Sequence, residues 1–434
     1  MSASPILSLT AEPRWAALAA GFARDACRAA GFDARVAEGL ALAAEEVVAA
    51  VSGGGAAVTL ALDDRHFAAR LRVTLPAEGF DTAWLSPLRD TQATDDDFDL
   101  EGLGVYVAAR LVDRLTVERR DSDGALLLAF EIEREFPVEP PAMPPADLGA
   151  ADIAVADPDD ALLALFARWA AASGIVHEEL TGGGDRLVGR RAAGEIVARI
   201  ATDGHGRPVG AVMWTRLGDR LVLLHGPLML PVDPVQRAAI AAALIQATFQ
   251  AMARSPVSGI VALYPPPELP AREFEPVGMV TDPDGSSHPV LFRALDEDPG
   301  ATLWVPPDLR AFVEGAVRRL GLGRELAEAS PATLPATGAL LAAIVDRDIS
   351  RVVLRPLLPA RDAGAVVAAQ LRLFRGQGVR HAVALLSLGR AGDSVFAAPF
   401  LEAGMKPRAF IPAAGSDLLV LADEWSEAGD IQRR

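Results

Sequence analysis

A glycine-containing turn at the start of a predicted helix is the first stretch of this chain with the residue types to do chemistry. It reads EGLGVYVAARLVD over residues 101–113, and the spacing of its apolar residues predicts a helix over Gly104–Leu111. A helix N-terminus presents unpaired N–H groups and partial positive charge, which suits a phosphate group. Gly102 and Gly104 would let the backbone approach that group closely. The turn therefore predicts a phosphate site.

The residues that lead into this turn are strongly acidic. Five carboxylates lie within seven positions, namely Asp95, Asp96, Asp97, Asp99 and Glu101. Two like charges 4 Å apart repel by about 1 kcal/mol in bulk water, and by more near protein. A triphosphate here would need Mg²⁺ to relieve the repulsion, and the alternative interpretation is a flexible acidic loop.

Three strings together resemble the GHKL (histidine kinase-like) ATPase superfamily, most closely its anti-sigma-factor serine kinases. They are LALAAEEVVAAVSGGG (40–55), LPAEGFD (75–81) and the turn at 101–113. The resemblance covers residues 10–135. It implies that Glu46 is the general base and that Gly79 lies beside the adenine. It also implies that Gly102 and Gly104 contact the phosphates of ATP.

Two positions depart from that family's pattern. The family carries an Asn that holds Mg²⁺ four residues after its Glu, and this chain has Ala50 there. The adenine-reading Asp falls at Ala77, and Glu78 replaces it only if the frame shifts by one residue. We therefore expect ATP and Mg²⁺ binding to be weak or lost. Glu46, next to Glu45, is equally well interpreted as part of a solvated helix face.

The pattern around this site predicts a two-layer α+β domain. Helices are expected over Pro13–Ala30 and Ala34–Val51, followed by a hairpin, the helix Gly104–Leu111 and a second hairpin that turns at Asp121–Gly124. The helices should cover one face of a mostly antiparallel sheet. This domain is assigned to residues 1–137, and a Pro/Ala/Asp-rich linker to 138–160.

Two α/β units are predicted beyond the linker, over residues 161–297 and 298–434. Each shows a strand, a loop, a helix and a further strand, with the landmark pairs GPLMLP/RPLLPA and FEPVGM/FLEAGM. The segments REFEPVGM and APFLEAGM are both expected to be a short helix and turn. The N-terminal domain and the two units together define the expected α+β fold class.

The element order of both units resembles the GNAT acyltransferases. That family binds the CoA diphosphate at a helix start with the pattern Q/R-x-x-G-x-G/A. The first unit has LPVDPVQRAA there, without glycine, whereas the second has LPARDAGAVV, in which Arg361 and Gly364 match. The resemblance therefore implies a weak acetyl-CoA site at Arg361 and Gly364.

The acid and base of that family are only partly represented. Phe274 and Phe400 stand where the family's general acid is a tyrosine. Tyr264, at a strand end, is an alternative acid, although a buried structural tyrosine is the simpler interpretation. His225 ends an apolar strand, and we interpret it as a core histidine rather than a catalytic one.

The strings at 303–326 and 400–424 resemble bacterial proteins that fuse an anti-sigma-type ATPase domain to GNAT-like modules. Three hypotheses follow. The first is a regulatory, partner-switching protein that binds a sigma factor or an anti-anti-sigma-like protein. The second is an active serine/threonine kinase. The third is an acyl-CoA-dependent N-acyltransferase or acyl-CoA sensor in the C-terminal half.

The composition limits the other function classes. The formal charge of -17 disfavours nucleic acid and anionic membranes as partners. One cysteine and six dispersed histidines predict neither an intrachain disulfide nor a metal site. We see no signal peptide and no apolar run long enough for a membrane span, so a cytoplasmic protein is expected. The oligomeric state is left open, with a homodimer as one option.

Overall fold

The structure is a computed structural model. It describes residues 4–51, 55, 57–76, 103–120, 125–137, 140, 142–149, 152–218, 220–281, 286–328, 334–346, 350–413, 415 and 417–424. The chain forms two compact units. Unit 1 comprises residues 1–135, 329–386 and 391–405, and unit 2 comprises 136–328, 387–390 and 406–434.

Helices are interspersed with runs of consecutive strands along the described chain. The helices are α1 (Ala16–Ala29), α2 (Ala34–Ala50), α3 (Leu103–Leu111), α4 (Asp160–Ala172), α5 (Gly183–Ala192), α6 (Pro234–Met252), α7 (Pro307–Arg319), α8 (Ala363–Gly376) and α9 (Ala397–Glu402). The strands are β1 (Ile6–Thr10), β2 (Ala57–Asp64), β3 (Ala68–Leu75), β4 (Arg114–Arg119), β5 (Leu126–Glu133), β6 (Ala154–Ala156), β7 (Ile196–Thr202), β8 (Pro208–Arg216), β9 (Leu221–Met229), β10 (Gly259–Ala262), β11 (Glu275–Thr281), β12 (Ser287–Ala294), β13 (Ala301–Trp304), β14 (Arg324–Ala327), β15 (Leu340–Asp346), β16 (Arg351–Leu358), β17 (His381–Ser387), β18 (Lys406–Ile411) and β19 (Leu418–Glu424).

The N-terminal part of unit 1 is a two-layer structure, as its sequence pattern predicts. Its sheet has the order β1-β2-β3-β5-β4 with antiparallel neighbours throughout. Alternate residues of β3, such as Leu71 and Val73, enter a core that also contains the apolar stripe of α2. The N-cap Asp33 starts α2, because its carboxylate accepts a hydrogen bond from the Val36 N–H at 2.9 Å.

The later part of unit 1 contains a strand–helix–strand arrangement. β15 pairs antiparallel with β16, and β16 pairs parallel with β17 from Arg351–His381 to Leu354–Ala384. α8 connects the two parallel strands, as a crossover between parallel strands requires.

Unit 2 is built around a second sheet, in the order β19-β18-β11-β12-β10-β9-β8-β7-β6. Its one parallel pair among the described strands is β9 with β10, which α6 connects. β13 and β14 form a separate parallel pair on either side of α7. The core of this unit holds Phe166 and Leu187 from α4 and α5, Leu244 from α6, and the alternate residues of the central strands.

The structure corrects some local expectations. β1 precedes the first helix and is not expected from the sequence pattern. REFEPVGM is mostly the strand β11 rather than a helix and turn, since Pro276 and Gly278 disfavour a helix while Val277 and Val280 are buried. β6 lies inside the segment predicted as a linker and pairs with β7. The turn at 121–124 lies outside the described residues.

Candidate functional site

A cluster of buried polar side chains surrounds His225 in unit 2. The ring atom Nε2 of His225, on β9, lies 3.0 Å from the hydroxyl of Thr215 on β8 and 3.4 Å from Oε1 of Glu179. Glu179 belongs to the short 3-10 turn Glu178–Leu180 between α4 and α5. His225 is 4% exposed and Glu179 is 6% exposed. A carboxylate and an imidazole are thus held together away from bulk water.

Arg190 on α5 completes the charges of this cluster. Its Nη1 atom contacts Oε2 of Glu179, and its Nε atom lies 3.4 Å from Oε2 of Glu195. Buried charges are tolerated when they are paired in this way. The two carboxylates and the one guanidinium leave a net charge of minus one beside the His225 ring while that ring is neutral.

His177 contacts the same histidine from the α4–α5 loop. The two rings meet edge to face, with their centroids 5.3 Å apart. Nδ1 of His177 accepts a hydrogen bond from the Glu179 N–H at 3.2 Å. His177 thus binds the backbone of Glu179, while the carboxylate of Glu179 contacts His225 and Arg190.

The course of β9 explains the position of His225. β9 pairs with parallel β10 only from Leu221 to Leu223, and it then continues to Met229 without that neighbour. Its pairing with β8 shifts at this point, since Met213 is opposite His225 whereas Ala211 is opposite Leu228. His225 is the residue immediately before the irregularity.

Gly226 makes the irregularity possible. Its φ is 98°, in the region that favours glycine, and a Cβ there would lie 2.7 Å from the Leu228 nitrogen. Beyond Leu223 the backbone of β9 has no recorded pairing with β10. A strand edge without a pairing partner suits an extended polar chain.

The arrangement at His225 suits proton transfer. A carboxylate beside Nε2 stabilises an imidazolium and favours the tautomer that carries its proton on Nε2. The lone pair of the neutral ring then belongs to Nδ1, which is the atom that would accept a proton from a substrate. The sequence alone favours a core histidine at this position, and it does not single out Glu179, Arg190 or Thr215.

Tyr264 follows β10 by two residues, and the pairing of β10 with β9 ends at Leu223. Its hydroxyl oxygen is buried, and its ring lies 6.4 Å from the ring of His288. Phe274 and Phe400, which occupy the tyrosine positions of the GNAT pattern, are both buried.

The two helix starts that were compared with the CoA-binding pattern differ in what their aspartate binds. At α6 the carboxylate of Asp233 accepts the Val235 N–H at 2.8 Å, so an anion already occupies the helix start. At α8 the carboxylate of Asp362 instead accepts the N–H groups of Gly338 and Ala339, at 3.0 and 2.9 Å.

The predicted CoA residues Arg361 and Gly364 lie at the start of α8. Arg361 is exposed and donates its N–H to the carbonyl oxygen of Pro335 at 2.9 Å, whereas Gly364 is half-buried in the first turn. Their role as a CoA site stays a prediction.

Two of the predicted ATP residues meet in unit 1. Glu46 on α2 is half-buried, and its carboxylate packs directly against the Cα of Gly104 in the first turn of α3. Burial raises the pKa of Glu46, and the neighbouring charge of Glu45 raises it further. The carboxylate thus fills the space beside the glycine where the sequence predicts a phosphate. Gly79 and Gly102 lie outside the described residues, as does the acidic run at 95–101.

Two classes of feature are not found in the described part of the chain. No group of three or more His, Cys, Asp or Glu residues there is arranged to hold a metal ion. No helix among the described residues combines the length and the apolar character that crossing a membrane requires.

The chain matches no family model, and no curated protein is similar to it at a significant level. Several solved acetyltransferase structures align with about a third of it. Aminoglycoside 6′-acetyltransferase type Ii is 16% identical over 34% of this chain and 99% of its own, with a TM-score of 0.28. AAC(6′)-Ib in complex with ribostamycin and coenzyme A is 16% identical over 33% and 94%, with a TM-score of 0.26. Ribosomal-protein-S5-alanine acetyltransferase from Vibrio fischeri is 14% identical over 33% and 94%, with a TM-score of 0.26.

None of these three similar structures is a GHKL ATPase. The partner-switching and kinase hypotheses for the N-terminal part accordingly stay predictions, and so does a protein partner.

Proposed function

We propose that unit 2 carries an acyl-CoA-dependent N-acyltransferase site in which His225 is the general base. The observation that carries this proposal is the position of His225. It lies on β9 just beyond the last residue that pairs with parallel β10, and its Nε2 atom faces Glu179 and Thr215. A base is thereby placed beside the part of β9 that no longer pairs with β10, and such a strand edge suits the extended arm of a thioester.

The chemistry needs one base and one acid. The amine nitrogen attacks the thioester carbonyl carbon, a C–N bond forms, and the C–S bond breaks. The amine proton passes to Nδ1 of His225, and the resulting imidazolium is stabilised by Glu179. The CoA sulfur leaves as a thiolate, and Tyr264 at the end of β10 is the proposed proton donor to it.

The polar edges of the diverging strands suit the pantetheine arm, but the start of α6 does not suit the diphosphate. Pro231 and Pro234 lack N–H groups, and Asp233 adds a negative charge. We therefore expect acyl-CoA to be held mainly through its pantetheine arm, with a Kd that depends weakly on the nucleotide part.

An acyl-transfer assay on the full chain tests the proposal. Acetyl-CoA is supplied with primary amines that include spermidine and a lysine-containing peptide, and the released thiol is measured. We expect thiol release that requires an amine and falls about 100-fold or more in His225→Gln.

The matched control is His205→Gln, since His205 is an exposed turn residue outside the cluster and should leave the rate unchanged. The proposal is wrong if no amine in the panel increases thiol release, or if His225→Gln retains the full rate.

A further inference from the structure

A second feature that points to a ligand lies in unit 1, on β16. Arg355 is the residue that follows the last parallel pair of β16 with β17, which joins Leu354 to Ala384. The antiparallel pairing with β15 also becomes irregular just after it, because Pro356 is opposite Leu341 whereas Leu358 is opposite Leu340. Arg355 thus lies where the two parallel strands stop pairing.

The neighbours of Arg355 in the sheet are apolar. Ala342 lies directly across on β15, and Val353 is the next residue of β16 on the same face. Val353 in turn pairs with Val383 on β17. No carboxylate stands at any of these cross-strand positions.

Arg355 has no counter-ion in the described part of the chain. Its Nε atom is buried and makes no hydrogen bond, and the guanidinium takes part in none of the ion pairs of the described residues. Burial lowers the pKa of Arg355, and no acidic neighbour opposes this effect. A guanidinium that is partly removed from water and has no partner is unfavourable, so an anion is the expected complement.

We propose that Arg355 binds an oxyanion of a small-molecule ligand at the point where β16 and β17 diverge. A guanidinium offers a planar pair of N–H donors, which matches two oxygens of a phosphate or a carboxylate. The side chain is only partly covered, which leaves a ligand access to it. This site goes beyond the proposed acyl transfer and does not involve His225.

A thermal-unfolding titration of the full chain tests the site. Tm is measured against potassium phosphate, potassium acetate and potassium chloride at matched ionic strength. We expect one of the two oxyanions to raise Tm by about 2 °C or more, with saturation, whereas chloride does not. A response to phosphate indicates a phosphorylated ligand, and a response to acetate a carboxylated one.

Variants distinguish Arg355 from general effects of charge. Arg355→Met should lose the rise in Tm, and Arg355→Lys, which keeps the charge without the planar fork, should bind about tenfold more weakly. Arg372→Met removes an exposed arginine of α8 that has no predicted binding role, and it should leave the rise unchanged.

The proposal is overturned if neither oxyanion raises Tm more than chloride does, or if Arg355→Met responds as the unaltered protein does. If Arg355→Met fails to fold, an unchanged response in Arg355→Lys overturns it equally.

Discussion

Oε1 of Glu179 lies 3.4 Å from Nε2 of His225, although the two residues lie far apart in the chain. The contact joins the α4–α5 loop to the central strand β9. Arg190 holds the other oxygen of the same carboxylate. The carboxylate of Glu179 therefore contacts both the proposed base, His225, and the buried cation, Arg190.

The first prediction concerns this shared carboxylate. Glu179→Leu should destabilise unit 2 by about 3–5 kcal/mol, because it leaves Arg190 buried without its main partner. Adding Arg190→Met should recover more than about 1 kcal/mol of that loss, since two apolar side chains replace the ion pair. Urea unfolding of the single and double variants measures both changes. Additive losses would show that the pair is not coupled.

The second prediction concerns the contact between Gly104 and Glu46. A Cβ at position 104 would lie 1.7 Å from Oε2 of Glu46, so Gly104→Ala forces α3 or the carboxylate to move. We expect a loss of about 1–3 kcal/mol, and a smaller loss when Glu46→Ala is already present.

Gly21 in α1 is the matched control for that change. A Cβ there meets nothing within 4 Å. Gly21→Ala should therefore stabilise the helix by about 0.5–1 kcal/mol. Equal effects of alanine at positions 21 and 104, measured by urea unfolding, would contradict the packing of Glu46 against Gly104.

The third prediction follows from the raised pKa of Glu46. The folded protein holds this proton more tightly than the unfolded chain does, so stability falls as pH rises from the usual glutamate pKa, about 4.3, through the raised value. Glu46→Gln should therefore stabilise the protein at pH 7 relative to the unaltered chain, and the difference should disappear near pH 4.

Unfolding experiments at the two pH values measure this effect. Glu118→Gln, on an exposed position of β4, is the control and should show no such difference. A Glu46→Gln effect that is the same at pH 4 and pH 7 would argue against a carboxylate whose ionisation burial disfavours.

The sequence predicts the local elements of unit 1 well, because their signals are local. The apolar stripe of α2 and the alternation of β3 are each contained in one stretch of chain, and the helix expected over Gly104–Leu111 is observed as Leu103–Leu111. β1 gives a weaker signal, since it is a short edge strand with only Leu7 and Leu9 packed on the core.

The functional cluster could not be predicted in the same way. Its contacts join Glu179, Arg190, Thr215 and His225, which belong to four different elements and meet only through tertiary packing. The local signal was the pair His177 and Glu179 in a polar loop after an apolar helix, and such a loop is ordinary on a protein surface. Only the folded structure shows that the side chain of Glu179 in this loop is buried.

The fourth prediction concerns Gly226, the residue after the proposed base. Its φ of 98° is costly for any residue with a Cβ, and an added Cβ would lie 2.7 Å from the Leu228 nitrogen and 3.1 Å from the Ala211 oxygen. Gly226→Ala should cost about 1–3 kcal/mol in stability. It should also lower amine-dependent thiol release more than stability alone accounts for, because His225 is displaced from Glu179 and Thr215.

The matched control for Gly226 is Gly218→Ala, in the β8–β9 turn. A Cβ at position 218 meets nothing within 4 Å, so both stability and rate should stay close to those of the unaltered chain. The two variants are compared by urea unfolding and by the acyl-transfer assay at a temperature at which both are folded. A Gly226→Ala protein that keeps the full rate would show that the irregularity in β9 does not position the base, and His225 would then be a structural histidine of the core.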